Sequence, residues 1–166
     1  GIGVVGAVAV YQSQDNGAGV AESAPAILRH GMALALAIGL VTAVLSHALV
    51  GYLPLLGSSP EVTAEAREFF ILMSWSMIPG LLFHALRGHR DSQHQPWISL
   101  AWLSVGILVN ILLNWLWMFG HWGFPDLGLA GAGWATLVAR CVMLIGLWFT
   151  PGRGEVRWAE GLQLAV

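Results

Sequence analysis

The sequence contains no lysine and a single cysteine, and only 10% of its 166 residues are charged. Each shortage closes off a class of protein. Soluble domains carry roughly 25% charged residues, and a chain this short cannot hide the difference in a larger core, so lipid must cover its surface. The lone Cys141 lies in an apolar run, which excludes a disulfide framework and reads as a packing thiol. A net charge of −2 gives no basic footprint for nucleic acid. All seven basic residues are Arg, which reads as codon usage rather than mechanism. No Ser–His pair or metal-ligand constellation supports an enzyme, and Gly1 is not followed by the basic region of a signal peptide.

What remains is 57% hydrophobic, with a mean hydropathy of +0.71. Polar punctuation divides it into five apolar runs. Residues 1–13 are too short to span a bilayer and read as the second half of a span begun upstream, so the chain is expected to be a piece of a larger protein. Asp15-Asn16-Gly17 and Gly19 form a turn cluster. Pro25 then opens a helix expected over 25–56, since its missing N–H costs nothing in a first turn. Gly57-Ser58-Ser59-Pro60-Glu61 marks a break, with Ser59 as cap and Glu61 favouring the positive helix end. The helix expected over 60–88 contains Pro79, a site for a kink. Helices are expected over 95–120 and 129–150, and residues 151–166 form a tail. Each complete run meets the length of ~20 residues that a bilayer requires, so the expected fold class is all-α, a polytopic membrane helix bundle.

Arginines set the orientation. Segments 12–30, 87–96 and 151–166 hold Arg29, Arg87, Arg90, Arg153 and Arg157, whereas the alternate loops hold only Arg67, beside Glu61, Glu65 and Glu68. Loops 12–24 and 87–96 and the C-terminal tail are therefore expected on the cytoplasmic side, and 121–128 outside. Trp97, Trp122 and Trp158 fall near the proposed interfaces.

The run from Trp97 to Gly120 is uncharged but carries Asn110 and Asn114, which at this spacing share a helix face. Primary amides in hydrocarbon are costly unless partnered. They serve either as glue between helices or as the lining of a cavity or ion site. Arg140 is the only charge inside a span, and must reach protein, water, or the cytoplasmic headgroups by snorkelling; gating or ligand contact is the sharper alternative. His47 and His84 fall near opposite ends of neighbouring helices, too far apart to share a haem, and read as polar packing. Gly128, Gly131, Gly133 and Ala135 permit close helix approach. Trp115 or Trp117 can meet an aromatic ligand.

Ala85-Leu86-Arg87-Gly88, Pro96, the span with Asn110 and Asn114, the stretch Phe119-Gly120-His121-Trp122-Gly123-Phe124-Pro125-Asp126-Leu127-Gly128, and Gly131-Ala132-Gly133-Trp134-Ala135-Thr136 together resemble the multidrug and toxic compound extrusion (MATE) family, most closely its NorM-like members. The N-terminal part agrees: an apolar half-helix, then Gln12 and Asn16-Gly17-Ala18-Gly19, then a basic residue opening the next span. The resemblance covers essentially the whole chain.

The resemblance implies about twelve membrane helices in two lobes. It implies export of amphipathic or cationic small molecules by Na⁺ or H⁺ antiport, through alternating access, in the bacterial inner membrane. This chain would run from the end of helix 2 through helix 6, most of the N-terminal lobe, with helix 1 and the C-terminal lobe of the same chain as its partners. Asn110, Asn114 and Thr136 would line the substrate or ion cavity, although the Thr136 hydroxyl can equally bond its own helix. Some family members carry aspartate where Asn114 stands. Asparagine cannot take up a proton, so carboxylate carriers are expected outside this chain, and no cofactor beyond the coupling ion is expected. The competing class is a non-transporting membrane anchor or assembly subunit, favoured if every polar group is paired and dry.

Overall fold

A computed structural model describes residues 24–52, 60–93 and 95–151. The expected half-helix at 1–13, the cap at Ser59, and the tail beyond Pro151 lie outside the described residues. Within them the chain is helical with no strand: α1 (Ala24–Val50), α2 (Pro60–Ser92), α3 (Pro96–Met118), a short 3₁₀ turn (His121–Gly123) and α4 (Gly128–Phe149). All four α-helices contain a stretch long and apolar enough to cross a membrane.

Two helix ends differ from the sequence expectation. α1 stops at Val50 rather than near residue 56. Its last bonds tighten to Gly51 N–H donating to Ala48 (3.3 Å) and Tyr52 N–H to Leu49 (3.0 Å), the i→i−3 pattern of a closing turn. α2 continues a turn beyond residue 88, to Ser92. That extra turn carries its own ties: Arg87 Nε meets Asp91 Oδ2 at 3.3 Å, and Arg90 Nη2 donates to the Thr150 carbonyl at 2.7 Å. Arg87 to Ser92 are thus helical, not loop. The corner to α3 is then very short. The Arg90 carbonyl accepts from both Gln93 and Gln95 N–H (3.1 Å each), and Pro96 opens α3 without a wasted donor.

The helices are ordered in space α1, α2, α4, α3, with α2 and α4 together at the centre. α1 presents Gly31, Ala35, Gly39 and Ala43 to α2, a small residue every fourth position on one face. A side chain on Gly39 would begin only 3.1 Å from Ile78 Cα, so the two backbones nearly touch there. Ala35 packs on Leu81 and Ala85. On its other side α2 meets α4 through Phe83 and Leu86 against Leu147, with Trp102, Leu103 and Met143 sealing the cluster.

α3 and α4 run antiparallel and interlock by exchanging glycines for bulk. The Trp102 ring of α3 occupies the notch at Gly146, and Met143 of α4 occupies the notch at Gly106. At the far end the backbones themselves meet. A Cβ on Gly131 would lie 2.7 Å from the Trp117 carbonyl oxygen, and Leu127 N–H donates to that same carbonyl at 3.0 Å. Gly120, at φ 63°, takes the left-handed conformation that ends α3 and lets the chain turn back. The outward faces of α1 and α3 stay apolar and bare, with Leu49 and Leu108 about two-thirds exposed. Such continuous apolar surface demands a nonaqueous neighbour.

Candidate functional site

The α3–α4 interlock brings the sequence-marked polar residues together. Gly106, Asn110 and Asn114 follow one another at four-residue spacing on α3, as Thr136 and Arg140 do on α4. Met143 seated at Gly106 fixes the register, so that Asn110 falls opposite Thr136. Asn110 Nδ2 donates to Thr136 Oγ1 at 3.3 Å, and Thr136 Oγ1 donates to the Ala132 carbonyl at 2.9 Å. Asn114 Nδ2 reaches back one turn to Asn110, 2.9 Å from its carbonyl and 3.1 Å from its Oδ1. Each amide therefore has a partner, and the Asn110–Thr136 bond ties the two helices. Such a tie is worth ~0.6 kcal/mol on average inside a membrane.

Beside this pair, the helices part to leave a cleft of about 210 Å³, lined by Leu103, Gly106, Asn110, Thr136, Arg140 and Met143 among others. Its wall is mainly apolar, and its lining includes the polar residues Asn110, Thr136 and Arg140. Asn114 does not line it.

The Arg140 side chain is directed at α2. It lies in the middle of α4, half-buried, and its Nη1 donates to Ser76 Oγ on α2 at 2.8 Å. Ser76 is fully buried and donates in turn to the Met73 carbonyl at 2.8 Å. The arginine crosses α2 at Gly80, whose absent side chain leaves room: a Cβ there would lie 3.3 Å from Arg140 Cδ and 3.5 Å from Nε. Pro79 precedes it within α2. Because proline has no N–H, the carbonyl one turn back loses its helical donor. The polar crossing of α2 and α4 therefore sits about one turn from the point where α2 lacks a backbone donor. Holding a guanidinium at such depth costs ~2.5–3.5 kcal/mol on insertion scales. A single hydroxyl partner offsets little of that.

Sequence reasoning singled out Asn110, Asn114, Thr136, Arg140 and Pro79, but missed Ser76 and Gly80. The available signal was the polar pair Ser74 and Ser76 in an uncharged run, just before Pro79-Gly80. It also missed a tie at the opposite end of α4. Arg90, read as a loop charge, is only 8% exposed and binds Thr150, whose hydroxyl accepts from Trp102 Nε1 at 2.8 Å. Trp115 stacks on His121 with ring centroids 4.2 Å apart and is not among the residues lining the cleft; nor is Trp117. Among the described residues no three His, Cys, Asp or Glu side chains converge as a metal site would require.

Comparison with known proteins gives a consistent result. A family model described as MatE matches residues 1–116. "Probable multidrug resistance protein NorM" of Synechococcus sp. is 37% identical over 145 residues, which is 87% of this chain and 31% of that protein. The protein of the same name in Pseudomonas aeruginosa is 34% identical over 169 residues, 97% of this chain and 34% of its own length. A solved multidrug resistance MATE family transporter of the MOP superfamily, in an inward-facing conformation, shares the fold with a TM-score of 0.77 at 20% identity. That match covers 92% of this chain and 35% of the solved one. The chain thus spans about a third of the length of the curated relatives it matches.

Proposed function

The chain belongs to the multidrug and toxic compound extrusion family, and on that premise we propose that it supplies part of the membrane pathway of a secondary active multidrug exporter. Its substrates are amphipathic small molecules, moved by alternating access and driven by Na⁺ or H⁺ antiport. The observation that carries this reading is the α3–α4 cleft. It gathers Asn110, Thr136 and Arg140 around a mainly apolar, open cleft in a bundle whose outer faces suit lipid. Ligand sites take this form: mostly apolar walls with a few convergent polar groups.

Neither α1, α3 nor α4 contains an Asp or Glu, so these helices have no carboxylate proton carrier. The carrier belongs to another part of the transporter; Asn110 contributes a neutral ligand, and Asn114 supports it through its bonds to Asn110. The short α2–α3 corner, with Arg87 and Arg90, faces the cytoplasm, and residues 121–128 face outward, in the inner membrane of a bacterium.

The hydrogen bonds among Asn110, Asn114 and Thr136 favour a second reading, in which these residues only glue helices of a non-transporting anchor. The two readings separate on substitution in the full-length protein. Asn110→Leu and Asn114→Leu keep side-chain bulk and remove the amide. A cavity role predicts that efflux per molecule of folded transporter falls severalfold while membrane abundance stays near wild type. Wild-type efflux per molecule in both variants would return the pair to glue.

A further inference from the structure

α3 carries a tryptophan near each end of one face. Trp97 and Trp115 are separated by about five helical turns, so they share that face. Between them the exposed positions Ala101, Val105, Leu108 and Leu112 continue it at helical spacing, and Phe119 extends it past Met118. Ser104, on its flank, donates its hydroxyl to the Leu100 carbonyl at 3.0 Å. The face is thus aliphatic in the middle and aromatic at both ends. At 1.5 Å per residue Trp97 lies about 27 Å from Trp115 and about 33 Å from Phe119 along the axis, and the hydrocarbon core of a bilayer is ~30 Å thick. The turn after α3 folds back onto the same end. His121 stacks on Trp115 and its Nδ1–H donates to the Trp115 carbonyl at 2.9 Å, while the Trp122 ring meets Trp115 edge-on with centroids 5.7 Å apart. Trp122 does so at φ 58°, a left-handed backbone that glycine adopts more easily. A ring kept at such a position has a use that outweighs the strain.

Exposure alone does not identify the neighbour of a helix face; the distribution of residue types does. A covering helix places no demand for amphipathic rings at two depths a bilayer's thickness apart. The two membrane–water boundaries do, because indole sits there with its apolar body in the acyl chains and its N–H among the headgroups. α1 supplies the contrast. Its bare face, with Val41, Val44, Leu45 and Leu49, belongs to a helix without Trp, Tyr or Phe, and so bears no mark of depth. The spatial order agrees, since α3 ends the row of helices and meets the rest almost wholly through α4. We infer that the face of α3 from Trp97 to Phe119 is a lipid-facing edge of the full-length protein, with Trp97 at one headgroup boundary and the Trp115–His121–Trp122 cluster at the other. This goes beyond the exporter reading and does not depend on it. It also assigns depths. Gly106, with Met143 in its notch, lies midway between the two tryptophans and hence at the bilayer midplane, and Asn110 lies about 6 Å from it toward the Trp115 end.

The test uses the full-length protein, made cysteine-free and reconstituted in palmitoyl-oleoyl phosphatidylcholine liposomes. Nitroxide labels are placed one at a time at Ala101, Val105, Leu108 and Leu112, and at Leu103, which packs against Phe83, Leu86 and Leu147. Electron paramagnetic resonance then measures collisions with oxygen, which dissolves in acyl chains, and with a nickel chelate, which stays in water. A lipid-facing edge predicts severalfold faster oxygen collisions at the four face positions than at Leu103, with nickel collisions near background. The ratio of oxygen to nickel collisions should be greatest at Val105 and Leu108 and lower at Ala101 and Leu112, on either side of the midplane. Slow collisions with both reagents along the face would mean that protein covers it, and fast nickel collisions that water does; either result overturns the inference. Where a label prevents assembly, the wild-type protein in the same liposomes is photolabelled with an apolar carbene precursor and mapped by mass spectrometry. Insertion at the α3 face positions supports the inference, and an unlabelled α3 overturns it. Drug efflux by the wild-type protein in cells tests the exporter reading separately, so either can fail while the other stands.

Discussion

The most exacting consequence of the fold concerns Gly131. Here α4 begins against the end of α3 with backbone on backbone. A Cβ would fall 2.7 Å from the Trp117 carbonyl oxygen and 2.8 Å from its carbon. Neither atom can swing aside as a side chain can. Restoring an ordinary contact of 3.4 Å requires the two helices to part by roughly 0.7 Å. The Asn110–Thr136 bond lies about 7.5 Å further along α4 at 1.5 Å per residue, and at 3.3 Å it has little to spare. The separation would stretch that bond past hydrogen-bonding range. Gly131→Ala should therefore cost about 1–3 kcal/mol, the usual range for overpacking, and lower the melting temperature of the purified protein by on the order of 5 °C. It should also reduce efflux per molecule, as is expected of Asn110→Leu. The control is Gly51→Ala, where the nearest atom, the Ala48 carbonyl oxygen, lies at 3.5 Å and the change should be nearly neutral. Thermal unfolding in detergent, followed by tryptophan fluorescence, measures both. If Gly131→Ala melts with wild type, the close approach of α3 and α4 described here is wrong.

Two further predictions follow from the α2–α3 corner. Arg90→Met should destabilise by about 1.5–3 kcal/mol, because a nearly buried charge-assisted bond to Thr150 is lost; Arg87→Met, removing a partly exposed pair with Asp91, should cost less than about 1 kcal/mol. Equal melting curves for the two variants would contradict the clamp. In a Cys141→Ala background, cysteines placed at Ser92 and Asp126 should react with impermeant maleimide from opposite sides of the membrane, Ser92 from the cytoplasm; labelling from one side would overturn the proposed orientation.

The helical spans were legible because a membrane imposes a crude rule, an apolar run of fixed length between polar breaks. That rule locates helices α2 to α4 to within a few residues, yet misjudges ends where local bonds decide. Gly51 closes α1 before the apolar run gives out. Arg87, Arg90 and Asp91 look like loop residues by polarity, but an i,i+4 pair and a long-range bond to Thr150 keep them helical. The site was legible in part for the same reason. An amide or a cation inside an uncharged run must have a partner, so Asn110, Asn114 and Arg140 declare themselves. Their partners do not. Serine is a common guest in membrane helices, where it bonds its own backbone, as Ser74 does to Phe70 at 2.6 Å. Nothing local distinguishes Ser76, which bonds its own helix and also receives Arg140. That distinction arises only when α2 and α4 cross.

The spatial order α1, α2, α4, α3 explains why the cleft lies where it does. α2 is gripped from both sides, by the small-residue face of α1 and by α4, and its spanning stretch is the most buried of the four. α3 touches the rest almost wholly through α4, so its hold depends on three kinds of contact along one seam: the Trp102–Gly146 and Gly106–Met143 notches, the Asn110–Thr136 bond, and the Gly131 crossing. The first and last are tight and shape-determined. The middle one is a single bond of 3.3 Å beside an open hollow. On the proposed reading, a seam pinned at its ends and loose at its centre would admit a ligand between α3 and α4 without the helices coming apart. Arg140 is anchored from the α2 side by Ser76. A rocking lobe needs the same property, since the helices must move as one body while the site between them exchanges partners. The α3–α4 seam therefore keeps its shape through glycine notches, and Asn110 meets Thr136 where the seam is slack.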